Sequence, residues 1–312
     1  MQEQKDRDAL WQGYWRERQK SLQNPQGKRS AVMAAFRAAQ ELAREAERPL
    51  RIIELGCGEG HVLGEVLKMC AADGLAVKEC VGVDYQADAL ESARRLYPHI
   101  NFLAADYASR PLSLKPSDVV MMVGTLHEVY SSCYSPTLGE IDRALGKKAV
   151  KKALRHNARL VRDGGAVVLF DGVEHPLKPE SEIIIKFSTA AALDEFRRLA
   201  SEYEAFRLRY EELEGGDRLK ISIHSFTRYI TKTRFFNSGL WEIERRESYQ
   251  YFNESQFKEC LGELGLKILK LQCHSPFRKD WLARVCIETS GVDFPQENIL
   301  IVGRKVSAPK KR

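Results

Sequence analysis

Ile52-Ile53-Glu54-Leu55-Gly56-Cys57-Gly58-Glu59-Gly60 runs a short apolar segment directly into three glycines at alternate positions. An apolar run of this length reads as a buried strand. The glycines after it let the chain turn sharply and pass close to a ligand at the N-terminus of a following helix. Their spacing narrows the ligand. A dinucleotide fingerprint is G-x-G-x-x-G, whose last glycine serves helix packing beside a pyrophosphate. Here the third glycine comes one residue early, Glu54 stands two residues before the first, and no lysine follows to make a phosphate loop. An acid, a tight loop and no phosphate clamp suit a cofactor that carries an ammonium group.

Further strand ends follow in order. Cys80-Val81-Gly82-Val83-Asp84 reads as a second buried strand ending in an acid, 24 residues after Gly60. That is close to the roughly 20-residue separation at which a carboxylate reaches ribose hydroxyls in nucleotide-binding βαβ units. Ile100 to Tyr107 forms a third strand ending at Asp106-Tyr107, and Asp118 to Gly124 a fourth. A helical stretch from Gly146 to Val161 then leads to a fifth, Ala166 to Phe170, closing on Asp171. Strands alternating with helices predict an α/β fold with a doubly wound, mostly parallel sheet and its ligand at the carboxyl ends of the strands.

The ordered set resembles the class I S-adenosylmethionine-dependent methyltransferases over about residues 50–175, and again near the C-terminus. The resemblance implies a seven-stranded, Rossmann-like sheet with the last strand antiparallel, and S-adenosylmethionine as cofactor. It implies a cofactor site at Glu54, Gly56, Gly58, Gly60, Asp84, Tyr85, Asp106, Tyr107 and Gly124, with Asp106 accepting from the adenine amino group. Just past the fourth strand come Thr125-Leu126-His127-Glu128-Val129-Tyr130. Histidine is the side chain best suited to general-base work near neutral pH. Some small-molecule O-methyltransferases are similar there, carrying a base histidine followed by an acid, so His127 and Glu128 are the catalytic candidates. Other members have a histidine at this point that only lines the pocket. Tyr130 and Tyr134 are candidate substrate walls or packing residues.

Composition agrees with an enzyme core. The 312 residues are 44% hydrophobic, no apolar run approaches the length of a membrane span, and the polar start is no signal peptide. Seven scattered cysteines without a C-x-x-C pair predict reduced thiols in a cytoplasmic setting and no structural metal site. Three additions surround the core at 49–175 and 251–305. Residues 1–48 read as N-terminal helices, with Trp11, Tyr14 and Trp15 in the first and Val32, Phe36 and Leu42 in the second. Residues 176–250 read as a helical insertion. There Leu193, Phe196, Leu199, Tyr203, Phe206, Tyr210 and Leu213 draw one long stripe, followed by Ile223, Phe226, Tyr229, Ile230 and Phe235. Its place above the strand ends makes it a candidate substrate lid. The third addition is the long connection between strand-like runs 266–273 and 298–305, which contains another strand-like run at Leu282 to Ile287. A basic tail occupies 306–312.

No Asn/Asp-Pro-Pro-Tyr/Phe follows the fourth strand and no Pro-Cys stands there, which disfavours methylation of nucleic-acid bases at exocyclic nitrogens or at cytosine carbon-5. The expected function is methyl transfer to an oxygen or nitrogen of a small or mid-sized acceptor. The net charge of +6, and the basic residues Arg197, Arg198, Arg207, Arg209, Arg228, Lys232 and Arg234, raise two other substrates, RNA or a protein docked on the insertion. A third reading is a cofactor-binding partner subunit that no longer catalyses. The acceptor and the oligomeric state are not legible.

Overall fold

The computed structural model describes residues 20–46 and 48–306, so Trp11, Tyr14, Trp15 and Lys310-Lys311-Arg312 lie outside the described residues. Helix α1 (Lys28–Ala46) leads into strand β1 (Leu50–Leu55), helix α2 (His61–Ala72), strand β2 (Val77–Asp84), helix α3 (Ala87–Leu96), strand β3 (Asn101–Ala104) and strand β4 (Ser117–Val123). Helices α4 (Leu126–Ser131) and α5 (Arg143–Ala158) precede strand β5 (Val161–Gly172). The insertion then supplies strand β6 (Glu182–Phe187), helix α6 (Ala190–Glu202), strands β7 (Tyr210–Glu212) and β8 (Arg218–Ser222), and helix α7 (Ile223–Lys232). The chain closes with helix α8 (Glu254–Glu263), strand β9 (Leu266–His274), helix α9 (Arg278–Arg284) and strands β10 (Val285–Ile287) and β11 (Asn298–Lys305).

Seven strands form the central sheet in the order β9-β11-β5-β4-β1-β2-β3. The five N-terminal strands run parallel, and β11 is antiparallel to both neighbours. This is the doubly wound sheet expected, with its last strand reversed. All seven residues of β4 are buried, because helices cover both faces. Val120 and Met122 belong to the core on one face, Val119, Met121 and Val123 to the core on the other, as the period-2 alternation of a strand requires.

The insertion departs from a purely helical reading. Helix α6 begins at its Thr189 cap and stops at Glu202, where Tyr203 turns extended at ψ 111°. The stripe residues beyond it bury on different neighbours: Phe206 packs against Tyr130 and His224. The amides of Glu204 and Ala205 donate to the carbonyl of Arg245, and Tyr210 joins a strand. Three- and four-residue spacing therefore continued past the helix without a helix to carry it. Strands β10, β6, β8 and β7 make a second, antiparallel sheet. The strand-like run at Leu282 to Ile287 is resolved by this sheet: its first half is the end of α9 and its second half is β10, paired to β6. Thus the second and third additions make one lobe. No helix among the described residues is long and apolar enough to cross a membrane.

Candidate active site

Gly56, Gly58 and Gly60 all have positive φ, at 71°, 52° and 77°, which explains their alternate spacing. At Gly56 there is also no room, since a Cβ would lie 1.9 Å from Thr125 Oγ1. The loop thus nests against the turn after β4. The Gly58 amide donates to Asp84 Oδ2 at 2.7 Å, and the Leu63 amide, in the first turn of α2, donates to Glu54 Oε2 at 3.1 Å. Both acids, 8% and 1% exposed, are held at the strand ends by loop and helix amides. Leu22, Lys28, Glu59 and His61 complete the rim of a hollow over Gly56 and Cys57. Lys28 comes from α1, and a Cβ on Gly124 would sit 3.5 Å from its Nζ. Three left-handed glycines, with the Glu54 and Glu59 carboxylates and the Lys28 ammonium lining the same hollow, fit a ligand bearing an amino-acid moiety.

The other expected cofactor residues fall into two groups. Tyr85 is 62% exposed beside Asp84 at the mouth. Asp106 is exposed, its Oδ1 accepting the amides of Ala108 and Ser109 in its own turn. Tyr107 points inward: it is buried, with its hydroxyl 2.9 Å from Thr125 Oγ1, and so braces the turn that Gly56 rests on. Of the substrate candidates, Tyr130 is a core residue. It is fully buried against Phe206 and Tyr251, and Gly146 lacks a side chain because a Cβ would stand 2.5 Å from its ring. Tyr134 sits half exposed on a two-residue hairpin strand paired to Ile141, away from His127's contacts.

His127 is the centre of a buried polar cluster. It occupies the first turn of α4, is 6% exposed, and its Nδ1 lies 2.7 Å from Asp171 Oδ1. Asp171, at the end of β5, also accepts the amides of Leu126 and His127 on Oδ2 and of Gly172 on Oδ1. An ionised carboxylate only accepts, so Nδ1 carries the proton and Nε2 is the basic nitrogen. Nε2 faces Glu247 Oε2 at 3.9 Å. Burial opposes a charge on the ring, but Asp171, by charge and hydrogen bond, with Glu247 and Glu128 further out, raises the His127 pKa above its usual 6.5.

The insertion walls this site. The Tyr249 ring meets His127 edge-on at 4.6 Å, and its hydroxyl donates to Glu244, which pairs with the buried Lys232 at 2.7 Å. Ser131 and Ser248 tie α4 to this segment, the Ser248 amide donating to Ser131 Oγ at 3.0 Å. Gly172 permits the approach, since a Cβ there would lie 2.1 Å from the Tyr249 carbonyl oxygen. Asp171 was visible in sequence only as a strand end, and Glu244, Glu247 and Tyr249 carried no local signal at all. Lys232 stood out there merely as one of a basic group.

Part of that basic group is consumed by ion pairs, while Arg198, Arg207 and Arg209 are exposed. Arg228, fully buried, pairs with Glu174 at 2.9 Å; Arg234 meets Glu297 at 3.2 Å; and Arg197 pairs with Asp194 and Glu212.

Residues 52–165 match the model of a family described as a methyltransferase domain. No curated protein sequence matches the chain. Among solved structures, the chain is similar to an S-adenosylmethionine-dependent methyltransferase from Mesorhizobium loti, at 19% identity and TM-score 0.44 over 86% of this chain and 98% of that one. It is similar to one from Clostridium acetobutylicum at 10% identity and TM-score 0.42, over 88% and 91%. A third is the 1,6-didemethyltoxoflavin-N1-methyltransferase of Burkholderia thailandensis, at 15% identity and TM-score 0.41 over 88% and 79%.

Proposed function

We propose that this chain, which carries a class I methyltransferase domain over residues 52–165 and takes S-adenosylmethionine as its cofactor, methylates an oxygen or nitrogen of a small or mid-sized acceptor with His127 as general base. When bound, S-adenosylmethionine supplies a methyl already activated by its sulfonium, so the protein's share is alignment and proton removal. Gly56, Gly58 and Gly60 would hold the amino-acid end, with Lys28 for its carboxylate, while Asp84 and Tyr85 serve the nucleoside end. His127 Nε2 takes the acceptor's proton, and Asp171 keeps the ring in the needed tautomer and stabilises the imidazolium that forms. Glu128 lies beside it in the same helical turn.

One observation carries the reading: His127 Nδ1 is pinned to a buried carboxylate at 2.7 Å, which leaves Nε2 as a base at the strand ends. A small acceptor is favoured over RNA or a docked protein because Arg228, Lys232 and Arg234, three of the insertion's basic residues, are spent on buried carboxylates, which reduces the charge the insertion offers for docking. A cytoplasmic setting belongs to the same reading, with all seven cysteines unpaired.

The test is transfer of labelled methyl from S-adenosylmethionine into a cell extract split into small-molecule and macromolecular fractions, with Asp84→Ala as control. Label in the small-molecule fraction, lost in the control, is expected. Label that becomes sensitive to nuclease or protease would overturn the acceptor class, and no label in any fraction would favour the non-catalytic partner subunit.

A further inference from the structure

The proton that His127 accepts has to leave a buried site. Asp171, on the Nδ1 side, is 2% exposed and already accepts four hydrogen bonds, so it offers no way out. On the Nε2 side the facing carboxylate is Glu247, whose side chain is 20% exposed. We propose that Glu247 is a second proton-carrying residue of this site, taking the proton from His127 Nε2 and delivering it to solvent, so that the insertion completes the acid-base machinery as well as covering it. The inference rests on His127 being the base.

The geometry supports a hand-over. The 3.9 Å gap is too long for a direct hydrogen bond, and it leaves an acceptor atom room to contact both groups from one side. After methyl transfer a small closure or one water connects them. The N–H bond at Nε2 then breaks as an O–H bond forms on Glu247, and that proton passes to bulk water. The groups facing Glu247 are His127 and Glu128 from the core, Tyr85 from the end of β2, and Glu244, Lys232 and Tyr249 from the insertion. Lys232 is held by Glu244, which leaves Glu247 without a cation of its own in the buried layer. Burial and the Glu244 carboxylate push its pKa up to about 7, where a carboxyl both accepts and releases a proton readily. Two contacts fix the backbone that carries it. Tyr203 donates to the Glu247 carbonyl at 2.9 Å, and the neighbouring Ser248 amide is bound to Ser131.

The experiment uses the full chain, labelled S-adenosylmethionine and the small-molecule extract fraction as acceptor pool, with Glu247→Gln, Glu247→Asp and His127→Gln compared across concentrations of imidazole buffer. Glu247→Gln is expected to lower steady-state turnover at least about tenfold, with added imidazole restoring part of it and Glu247→Asp keeping most of it. In an NMR titration of the imidazole, His127 is expected to lose its proton at lower pH in Glu247→Gln, since a facing carboxylate has gone. Parental turnover in Glu247→Gln, or slowed turnover indifferent to buffer and shared by Glu247→Asp, would overturn the relay. Parental turnover in His127→Gln would instead overturn the general-base reading beneath it.

Discussion

Replacing Gly172 by Ala tests the placement of the insertion against His127 without touching a polar group. A Cβ there would lie 2.1 Å from the Tyr249 carbonyl oxygen and 2.5 Å from its carbon, and both are backbone atoms that cannot rotate aside. Gly172 itself cannot retreat easily, because it pairs with Asn298 in the central sheet and its amide is bound by Asp171. The 248–250 segment must therefore back away by roughly 1.3 Å to reach ordinary contact. That motion carries off the Tyr249 ring that packs on His127, and Glu247 two residues earlier. A displacement of this size at reacting groups costs on the order of 10²-fold in rate. The overpacking itself costs about 1–3 kcal/mol of stability. The proposed cofactor cradle at Gly56, Gly58 and Asp84 makes none of these contacts, so affinity for S-adenosylhomocysteine, read by calorimetry, should stay within about twofold. Methyl transfer at saturating cofactor gives the rate. A folded Gly172→Ala protein that turns over at the parental rate would refute the claim that the close approach of Tyr249 matters to the site.

Turnover should rise with pH along a limb lying above 6.5, since His127, as the proposed base, must be neutral to act and its pKa is raised. Asp171→Asn removes the raising charge, so a pH–rate profile should show that limb displaced downwards and a maximal rate about 10²- to 10⁴-fold lower. Glu174→Ala leaves the fully buried Arg228 uncompensated and should cost about 3–5 kcal/mol in denaturant unfolding. Burial works against the Glu174 charge, but Arg228 outweighs it and lowers the pKa. The pair's stabilisation is therefore present above the unfolded value near 4.5 and lost as pH falls through the lower folded one, a loss that acid titration of Glu174→Ala should not show.

What could be read in the chain follows from how far apart the cooperating residues lie. Glu54, the three glycines and Asp84 belong to one strand-loop-helix-strand unit, so their spacing and φ requirements are local and the geometry of this loop was legible. His127 was legible as a candidate by its position after β4, but its partner lies 44 residues away at the end of β5 and Glu247 lies 120 residues away in the insertion. Only the folded topology brings them together. Tyr130 stayed open between substrate wall and packing residue because an aromatic ring one turn past a catalytic candidate has the same letter whether it faces ligand or core. Here α5 and Phe206 enclose it. The second sheet was hidden because its strands are three to six residues long and one comes from a different addition.

That shared sheet has a consequence for how the molecule is made. Ile287 pairs with Ile185, about a hundred residues earlier, so one edge of β6 waits for a strand near the C-terminus. On the ribosome the parallel core strands and α7 would emerge while Ile185, Lys186 and Phe187 still lack their partner, a non-local closure of the kind that slows folding and exposes a strand edge meanwhile. The lobe is therefore not a transplantable module. Excised at 176–250 and grafted elsewhere, it would arrive without Val285–Ile287 and with an open sheet edge.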